Sequence, residues 1–232
     1  MRLLKLPVST GRMKITAAVC ILFLLGIPVA EAAPKAHVVA LGKWSTVKWL
    51  VGVDETTIVE LKIRPLLVDG RIKEFLVGAI HDVTDRTFVG QRVYRLNDSL
   101  PQENGAHWRW ERGGWLLMDR VTGKVQAIAL AGFDPYQSSV TWFRDYAAYC
   151  GFSEDGSKVF ATVVQLARRK PLLKKSVDNP AASEMPESAC VAPVWQKAPS
   201  RVTFQPKDGP KFVYSIRSRA LDLVAEDGDG EE

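Results

Sequence analysis

Thr57-Ile-Val-Glu-Leu-Lys-Ile-Arg64 decides the fold class, because its apolar and polar residues alternate. Val59, Leu61 and Ile63 share one face of the strand that this alternation predicts. Similar runs, rich in Val, Ile, Thr and aromatic residues, predict further strands at 44–53, 71–77, 88–96, 115–119, 124–130, 158–166, 201–204 and 212–216. The best candidate for a helix is 139–149.

Four glycines follow a short polar residue between two apolar runs. The pairs are Asp69-Gly70, Thr122-Gly123, Asp155-Gly156 and Asp208-Gly209. Glycine in this position supplies the positive φ that a tight hairpin turn requires. We therefore predict an all-β or β-rich chain, built from hairpins into an antiparallel sandwich or barrel-like domain of about eight to ten strands.

Two segments resemble parts of β-propeller blades. Phe152-Ser-Glu-Asp-Gly-Ser-Lys158 resembles the Phe-Ser-Pro-Asp-Gly-Lys turn of TolB-like and WD40-like propellers, with Glu154 in place of proline. Trp115-Leu-Leu-Met-Asp-Arg-Val-Thr-Gly-Lys-Val125 is similar to another blade hairpin. The resemblance implies a small irregular β-propeller as the alternative fold. The four turn glycines are 53, 33 and 53 residues apart, whereas a propeller repeats every ~40–45 residues.

The N-terminal 32 residues have the three parts of a secretory signal peptide. A basic start precedes an apolar run at 15–30, and Ala30-Glu31-Ala32 fits a cleavage site. The run is shorter than the ~20 residues of a spanning helix, although an uncleaved membrane anchor is the alternative. We therefore predict a signal peptide at 1–32, a single β-rich domain at 33–225 and a disordered acidic tail at 226–232. This division predicts a secreted or periplasmic protein with no stable membrane span after cleavage.

Two cysteines follow the predicted cleavage site, Cys150 and Cys190. A lone pair of cysteines in an oxidising compartment usually forms a disulfide. We therefore predict a Cys150–Cys190 bond, and two buried free thiols are the alternative.

The charge of the predicted mature chain is close to balanced. Beyond residue 32 it carries 27 basic and 25 acidic side chains, so no electrostatic footprint for nucleic acid is present. Basic residues cluster locally in Arg168-Arg169-Lys170 and Lys174-Lys175. This cluster fits an anionic envelope polymer or lipid headgroups. We favour instead an ordinary solvated strand end and loop, because Lys and Arg are exposed by default.

His81-Asp82-Val-Thr-Asp85 is the first candidate ligand site. It offers an imidazole and two carboxylates to a metal, or a base with an orienting acid. We favour a polar turn capped by Asp82 and Asp85, since turn chemistry alone explains these residues. No further ligand at metal-site spacing accompanies them, and no nucleophile elbow, phosphate loop or His-Glu-x-x-His helix occurs. We expect no cofactor.

Trp108-Arg-Trp110-Glu-Arg-Gly-Gly-Trp115 is the second candidate site. In a strand, Trp108 and Trp110 share one face and Arg109 and Glu111 the other. Exposed tryptophans would make a stacking platform for sugar rings. We predict instead that both tryptophans face the core, because the two charged residues mark the opposite face as the solvated one.

Three functional hypotheses follow. The leading one is an exported, non-catalytic binding or envelope-associated β domain whose partner is an envelope polymer or protein. The second is a secreted hydrolase that uses carboxylates or the His81 cluster. The third is a structural or assembly subunit.

Overall fold

The fold is entirely β in the part of the chain that the structure describes. The structure, a computed structural model, describes residues 36–51, 57–100, 102, 105–177, 190–206, 209–217 and 220–224. These residues belong to one compact unit that covers 35–232. They form fifteen strands in three antiparallel sheets. The predicted hairpin-built antiparallel fold is confirmed, with more strands than expected; the predicted signal peptide and acidic tail lie outside the described residues.

The first sheet has seven strands. They are β1 (Val39–Leu41), β2 (Ser45–Val51), β3 (Thr57–Val68), β4 (Arg71–Asp82), β5 (Thr87–Asn97), β6 (Trp108–Asp119) and β7 (Val125–Ile128). The order is β1-β3-β4-β5-β6-β7, and β2 pairs with the first half of β3. Leu66, Leu76, Phe88, Leu116 and Met118 form its buried apolar cluster. β7 therefore ends one side of this sheet.

The second and third sheets have four strands each. The second contains β8 (Thr141–Phe143), β9 (Tyr146–Phe152), β10 (Val159–Gln165) and β11 (Leu173–Val177), in the order β11-β10-β9-β8. The third contains β12 (Cys190–Gln196), β13 (Arg201–Pro206), β14 (Phe212–Arg217) and β15 (Ala220–Val224), in chain order. The predicted helix at 139–149 is wrong, since this stretch forms the β8–β9 hairpin with a turn at Arg144, where φ is 53°.

Apolar residues of the second and third sheets pack against each other in one core. Val159, Ala161 and Val163 of the second sheet meet Val202 and Phe204 of the third in this cluster. The predicted disulfide is present at its centre: Cys150 and Cys190 are bonded, with Cα atoms 6.1 Å apart. Two sheets packed face to face are a sandwich. Described sheets of seven, four and four strands do not fit the propeller alternative, which requires repeated four-stranded blades.

Three of the four predicted turn glycines have the expected conformation. Asp69 and Gly70 have φ values of 52° and 77°, and Gly123 and Gly156 have 63° and 71°. Gly209 lies in the β13–β14 connection but lacks a left-handed φ. The predicted hairpin is present there, since β13 and β14 pair antiparallel, and only the expected positive φ was wrong. Asp208 falls outside the described residues. Across the described ranges, no helix has the length and apolar character needed to cross a lipid bilayer.

Candidate binding groove

A groove of about 470 Å³ lies between β7 and the loop that joins β10 to β11. Its floor is apolar and includes Leu117, Ile128, Ala129, Ala131, Val164 and Leu166. Arg168, Arg169 and Lys170 line its other side and also line an adjoining concavity of about 520 Å³. The groove thus combines an apolar floor with a cationic wall.

Backbone hydrogen bonds set the path of the loop that carries these cations. The N–H of Leu166 donates to the carbonyl of Asp145 at 2.9 Å, and the N–H of Leu172 donates to Val163 at 2.8 Å. Between these anchors Ala167 has a φ of 68°, which is uncommon for a residue other than glycine. Pro171 favours an extended backbone at the residue before it. The loop is therefore fixed at both ends while its three cations are exposed.

Two lysines follow this loop on β11, and they lie on opposite faces of the second sheet. The Nζ of Lys174 lies 4.3 Å from the centre of the Phe160 ring, and that of Lys175 lies 4.8 Å from the centre of the Phe212 ring. Both lysines remain exposed. We call Arg168, Arg169 and Lys170, which line the groove, its basic side.

Two charges of the basic side, those of Arg169 and Lys170, are available to a ligand. Arg169 and Lys170 have no carboxylate partner among the residues that the structure describes. Arginine presents a planar fork of donors that matches carboxylate and phosphate, and lysine acts as a compact point charge. Chemically, the arrangement suits an anion whose apolar parts rest on the groove floor.

The three residues of the predicted His81 site have different surroundings. The Nε2–H of His81 donates to the carbonyl of Arg144 at 2.8 Å, and its ring stacks on Trp142 with centroids 6.2 Å apart. Asp82 pairs with Arg120, and Asp85 is exposed in the turn. Within the described ranges, no three His, Cys, Asp or Glu side chains lie close enough to hold a metal ion.

The turn after His81 is capped by a residue other than those predicted. The Oγ1 of Thr84 accepts hydrogen bonds from the N–H groups of Arg86, at 3.2 Å, and Thr87, at 3.0 Å. A threonine hydroxyl caps a turn in the same way as an aspartate carboxylate. The expectation that Asp82 and Asp85 cap this turn was therefore wrong.

The two tryptophans of the second predicted site differ in how far they are buried. Trp108 is 55% exposed, whereas Trp110 is partly buried with its ring edge-on to Phe75 at 5.2 Å. The guanidinium of Arg95 lies over both rings, 5.0 Å from the centre of Trp108 and 5.8 Å from that of Trp110. The prediction that both face the core was wrong for Trp108. The rings are also not a free platform, because the guanidinium of Arg95 already lies over both of them.

Glu111 explains why that prediction failed. Its side chain is buried and accepts a hydrogen bond from the hydroxyl of Tyr136. It also forms an ion pair with Arg109, whose Nε lies 3.0 Å from Oε1. Burial, and then the hydrogen bond to Glu111, raises the pKa of Tyr136 to about 12. Tyr136 stacks on Trp49 with centroids 5.4 Å apart. The cluster therefore ties the segment before β8 to β2 and β6, and sequence spacing alone gave no signal for it.

The sequence indicated the basic side of the groove but not its apolar floor. The run at 168–170 forms its cationic side, whereas Lys174 and Lys175 do not line it. Nothing in the sequence placed β7 beside this run. No protein-family model, curated protein or solved structure matches this chain. The shape and charge of the groove are therefore the basis for a functional proposal.

Proposed function

We propose that this chain is an exported, non-catalytic binding domain that holds an anionic envelope polymer along the basic side of its groove. The observation that carries the proposal is the coincidence of the groove with three consecutive exposed cations, Arg168, Arg169 and Lys170. The Cys150–Cys190 bond supports the compartment, because structural disulfides form in oxidising environments. The signal peptide at 1–32 is part of the same proposal.

A polymer suits this surface better than a single small anion. The three cations of the basic side lie on consecutive residues of the loop, which span up to about 7 Å of extended backbone. Their long side chains widen this charged surface further. A chain with repeated carboxylate or phosphate groups meets several of these cations at once.

The expected strength of binding depends on this repetition. Exposed ion pairs contribute about 0.2–1 kcal/mol each. Several together, with apolar contact at the groove floor, give useful affinity that falls as salt screens the charges. The hydrolase alternative has less support, because His81 already donates to a carbonyl and Asp82 already pairs with Arg120.

Charge reversal on the loop tests the proposal. We expect Arg169→Glu with Lys170→Glu to weaken binding of inorganic polyphosphate, or of the carboxylated polymer polygalacturonate, by about tenfold or more at low salt. The matched control is Arg71→Glu with Lys73→Glu, which reverses one exposed arginine and one exposed lysine on β4.

Titration calorimetry at 20 mM and 200 mM salt is the measurement. The proposal requires that the loop variant alone loses affinity and that affinity of the unmodified protein falls with salt. Equal losses in both variants would show a non-specific charge effect, and the absence of binding by the unmodified protein would refute the proposal.

A further inference from the structure

The β5–β6 hairpin extends beyond the rest of the first sheet as a two-stranded ribbon. β4 pairs with β5 no further along than Val93, and β7 pairs with β6 only at 115–118. In the part of the chain that the structure describes, the four pairs between 94–97 and 108–111 therefore join β5 and β6 alone. We call these two segments, together with Leu100 of their connection, the hairpin tip.

The hairpin tip exposes apolar side chains on both of its faces. Alternation along β5 puts Tyr94 and Leu96 on one face, and the pairing of Trp108 with Asn97 puts the tryptophan on the other. These three side chains are 37%, 40% and 55% exposed, and Leu100, three residues beyond the last pair, is 61% exposed. Clustered apolar side chains at the surface indicate an interaction site.

The distribution over both faces fits a lipid surface better than a protein partner. A protein that packs on a sheet covers one face, whereas a bilayer surface surrounds an inserted tip on all sides. Tryptophan favours the headgroup level of a membrane, where its ring is buried and its N–H stays hydrated. The exposed guanidinium of Arg95 lies 5.0 Å from the centre of the Trp108 ring and offers hydrogen-bond donors to lipid phosphate.

We propose that the hairpin tip enters the headgroup layer of a lipid bilayer and holds the protein at a membrane surface. The tip shares no residue with the lining of the groove, so this function goes beyond the proposed binding of an anionic polymer. It gives the protein a second attachment within the envelope.

The backbone of the ribbon limits how deep the tip goes. The outer edges of a two-stranded ribbon carry backbone N–H and C=O groups without a strand partner, and hydrocarbon leaves such groups unsatisfied. The headgroup layer still contains water, so the tip enters by about 5–10 Å. Repulsion of anionic lipid is small there, because Asp98 lies 3.5 Å from the Nε of Arg109 and Glu111 is buried. The attachment is therefore shallow and reversible.

Co-sedimentation with vesicles tests the proposal. Residues 33–232 contain every described residue and are used because the apolar run at 15–30 would itself bind lipid. The vesicles are phosphatidylcholine alone, or phosphatidylcholine and phosphatidylglycerol in equal parts. We expect the protein to bind both, and to bind the anionic vesicles about threefold more tightly or better. Arg95→Gln should reduce this preference while the protein still binds phosphatidylcholine.

A pair of substitutions at the tip has a matched control elsewhere in the sheet. We expect Trp108→Ser with Leu100→Ser to lower the partition coefficient about tenfold or more. The control is Trp44→Ser with Ile58→Ser, whose side chains are 50% and 57% exposed. These two do not form one patch, because Ile58 pairs with Leu50, six residues or about 20 Å along the strand from Trp44. All four positions are exposed, so both variants should keep the melting temperature of the unmodified protein.

The outcomes separate lipid from the other possible occupants of the tip. Loss of vesicle binding in the tip variant alone supports the proposal. Absence of binding by the unmodified protein, or equal losses in both variants, would overturn it. A dimer that the tip variant converts to a monomer on size exclusion, without vesicle binding, would assign the tip to a second copy instead. Arg169→Glu with Lys170→Glu should leave binding to phosphatidylcholine unchanged, and a loss there would place lipid in the groove and refute the proposal.

Discussion

Gly132 and Gly70 both have a left-handed φ, but their surroundings differ. A Cβ at Gly132 would lie 2.3 Å from the carbonyl oxygen of Phe152, whereas nothing lies within 4 Å of a Cβ at Gly70. The N–H of Phe152 also donates to the carbonyl of Gly132 at 2.7 Å, so the two backbones cannot separate without losing this bond.

Alanine substitutions separate the effect of φ from that of crowding. We expect Gly70→Ala to lower the free energy of unfolding by about 1–2 kcal/mol, the cost of a left-handed alanine. Gly132→Ala should cost about 3 kcal/mol or more, because the added methyl also overlaps backbone atoms. Urea denaturation measures both. Equal losses would contradict the close approach at Gly132.

At the residue scale, the burial of Glu111 is a property that the sequence did not predict. The period of two places Trp108 and Glu111 on opposite faces of a strand, and the structure exposes the tryptophan and buries the acid. The burial of Glu111 depends on Tyr136, which lies 25 residues away in sequence and donates a hydrogen bond to the Glu111 carboxylate. A buried charge with partners is tolerated where an unpaired one is not. A partner at that separation leaves no local pattern.

At the scale of elements, the β9–β10 hairpin depends on one carboxylate. Asp155 accepts hydrogen bonds from the hydroxyls of Ser153, at 2.5 Å, and Ser157, at 2.7 Å, and from the N–H of Ser157 at 3.1 Å. These bonds, with that from Ser153 the largest contribution, lower the pKa of Asp155 from 3.8 to about 2.

The lowered pKa predicts how the stability of this hairpin responds to acid. A carboxyl with a depressed pKa stabilises the folded state above its unfolded pKa, and the contribution is lost as pH falls through the folded value. We expect Asp155→Ala to be less stable than the unmodified protein at pH 7 and the difference to vanish between pH 4 and pH 2. Glu154→Ala, at the neighbouring exposed position, is the control. A difference independent of pH would contradict the assignment.

Hairpins were predictable from the sequence, whereas buried strands were ambiguous. The Asp69-Gly70 turn was recognised because φ above zero selects glycine and aspartate. β9 was mistaken for part of a helix because Ala147, Ala148, Tyr149 and Cys150 are all buried. A strand covered on both faces shows no alternation, and periodicity cannot distinguish it from a buried helix.

At the scale of the whole molecule, one covalent bond joins two sheets. Cys150 of β9 and Cys190 of β12 are both buried, and the loop between them is 40 residues long. Closing such a loop stabilises the folded state by about 4 kcal/mol in the chain-entropy model. We expect Cys150→Ala with Cys190→Ala to lose about this much and to melt at a lower temperature.

Chemical reduction provides the control for this variant. Unmodified protein in reducing agent loses the bond but keeps both sulfur atoms, so the difference between reduced protein and double variant reports packing alone. If the variant melted at the temperature of the oxidised protein, the bond would contribute nothing to stability.

The groove, too, belongs to this scale. Its cations are recognisable in the sequence because they are consecutive. Its lining as a whole brings together residues from 126–131 and 164–171, two segments about forty residues apart. Which strand edge faces which loop follows from the packing of the sheets and is not encoded in local spacing.

The bond between Cys150 and Cys190 also makes the peptide backbone between β11 and β12 dispensable for holding the third sheet. Residues 178–189 contain Glu184 and Glu187 but neither lysine nor arginine. A cut there by a glutamate-specific protease leaves β12–β15 attached through sulfur. The nicked protein then migrates as one band on a non-reducing gel and as two after reduction. After such a cut, β12–β15 would be a separate polypeptide that the disulfide and the shared core hold against the second sheet. Cleavage in a cell would in the same way give a two-chain protein with the same fold.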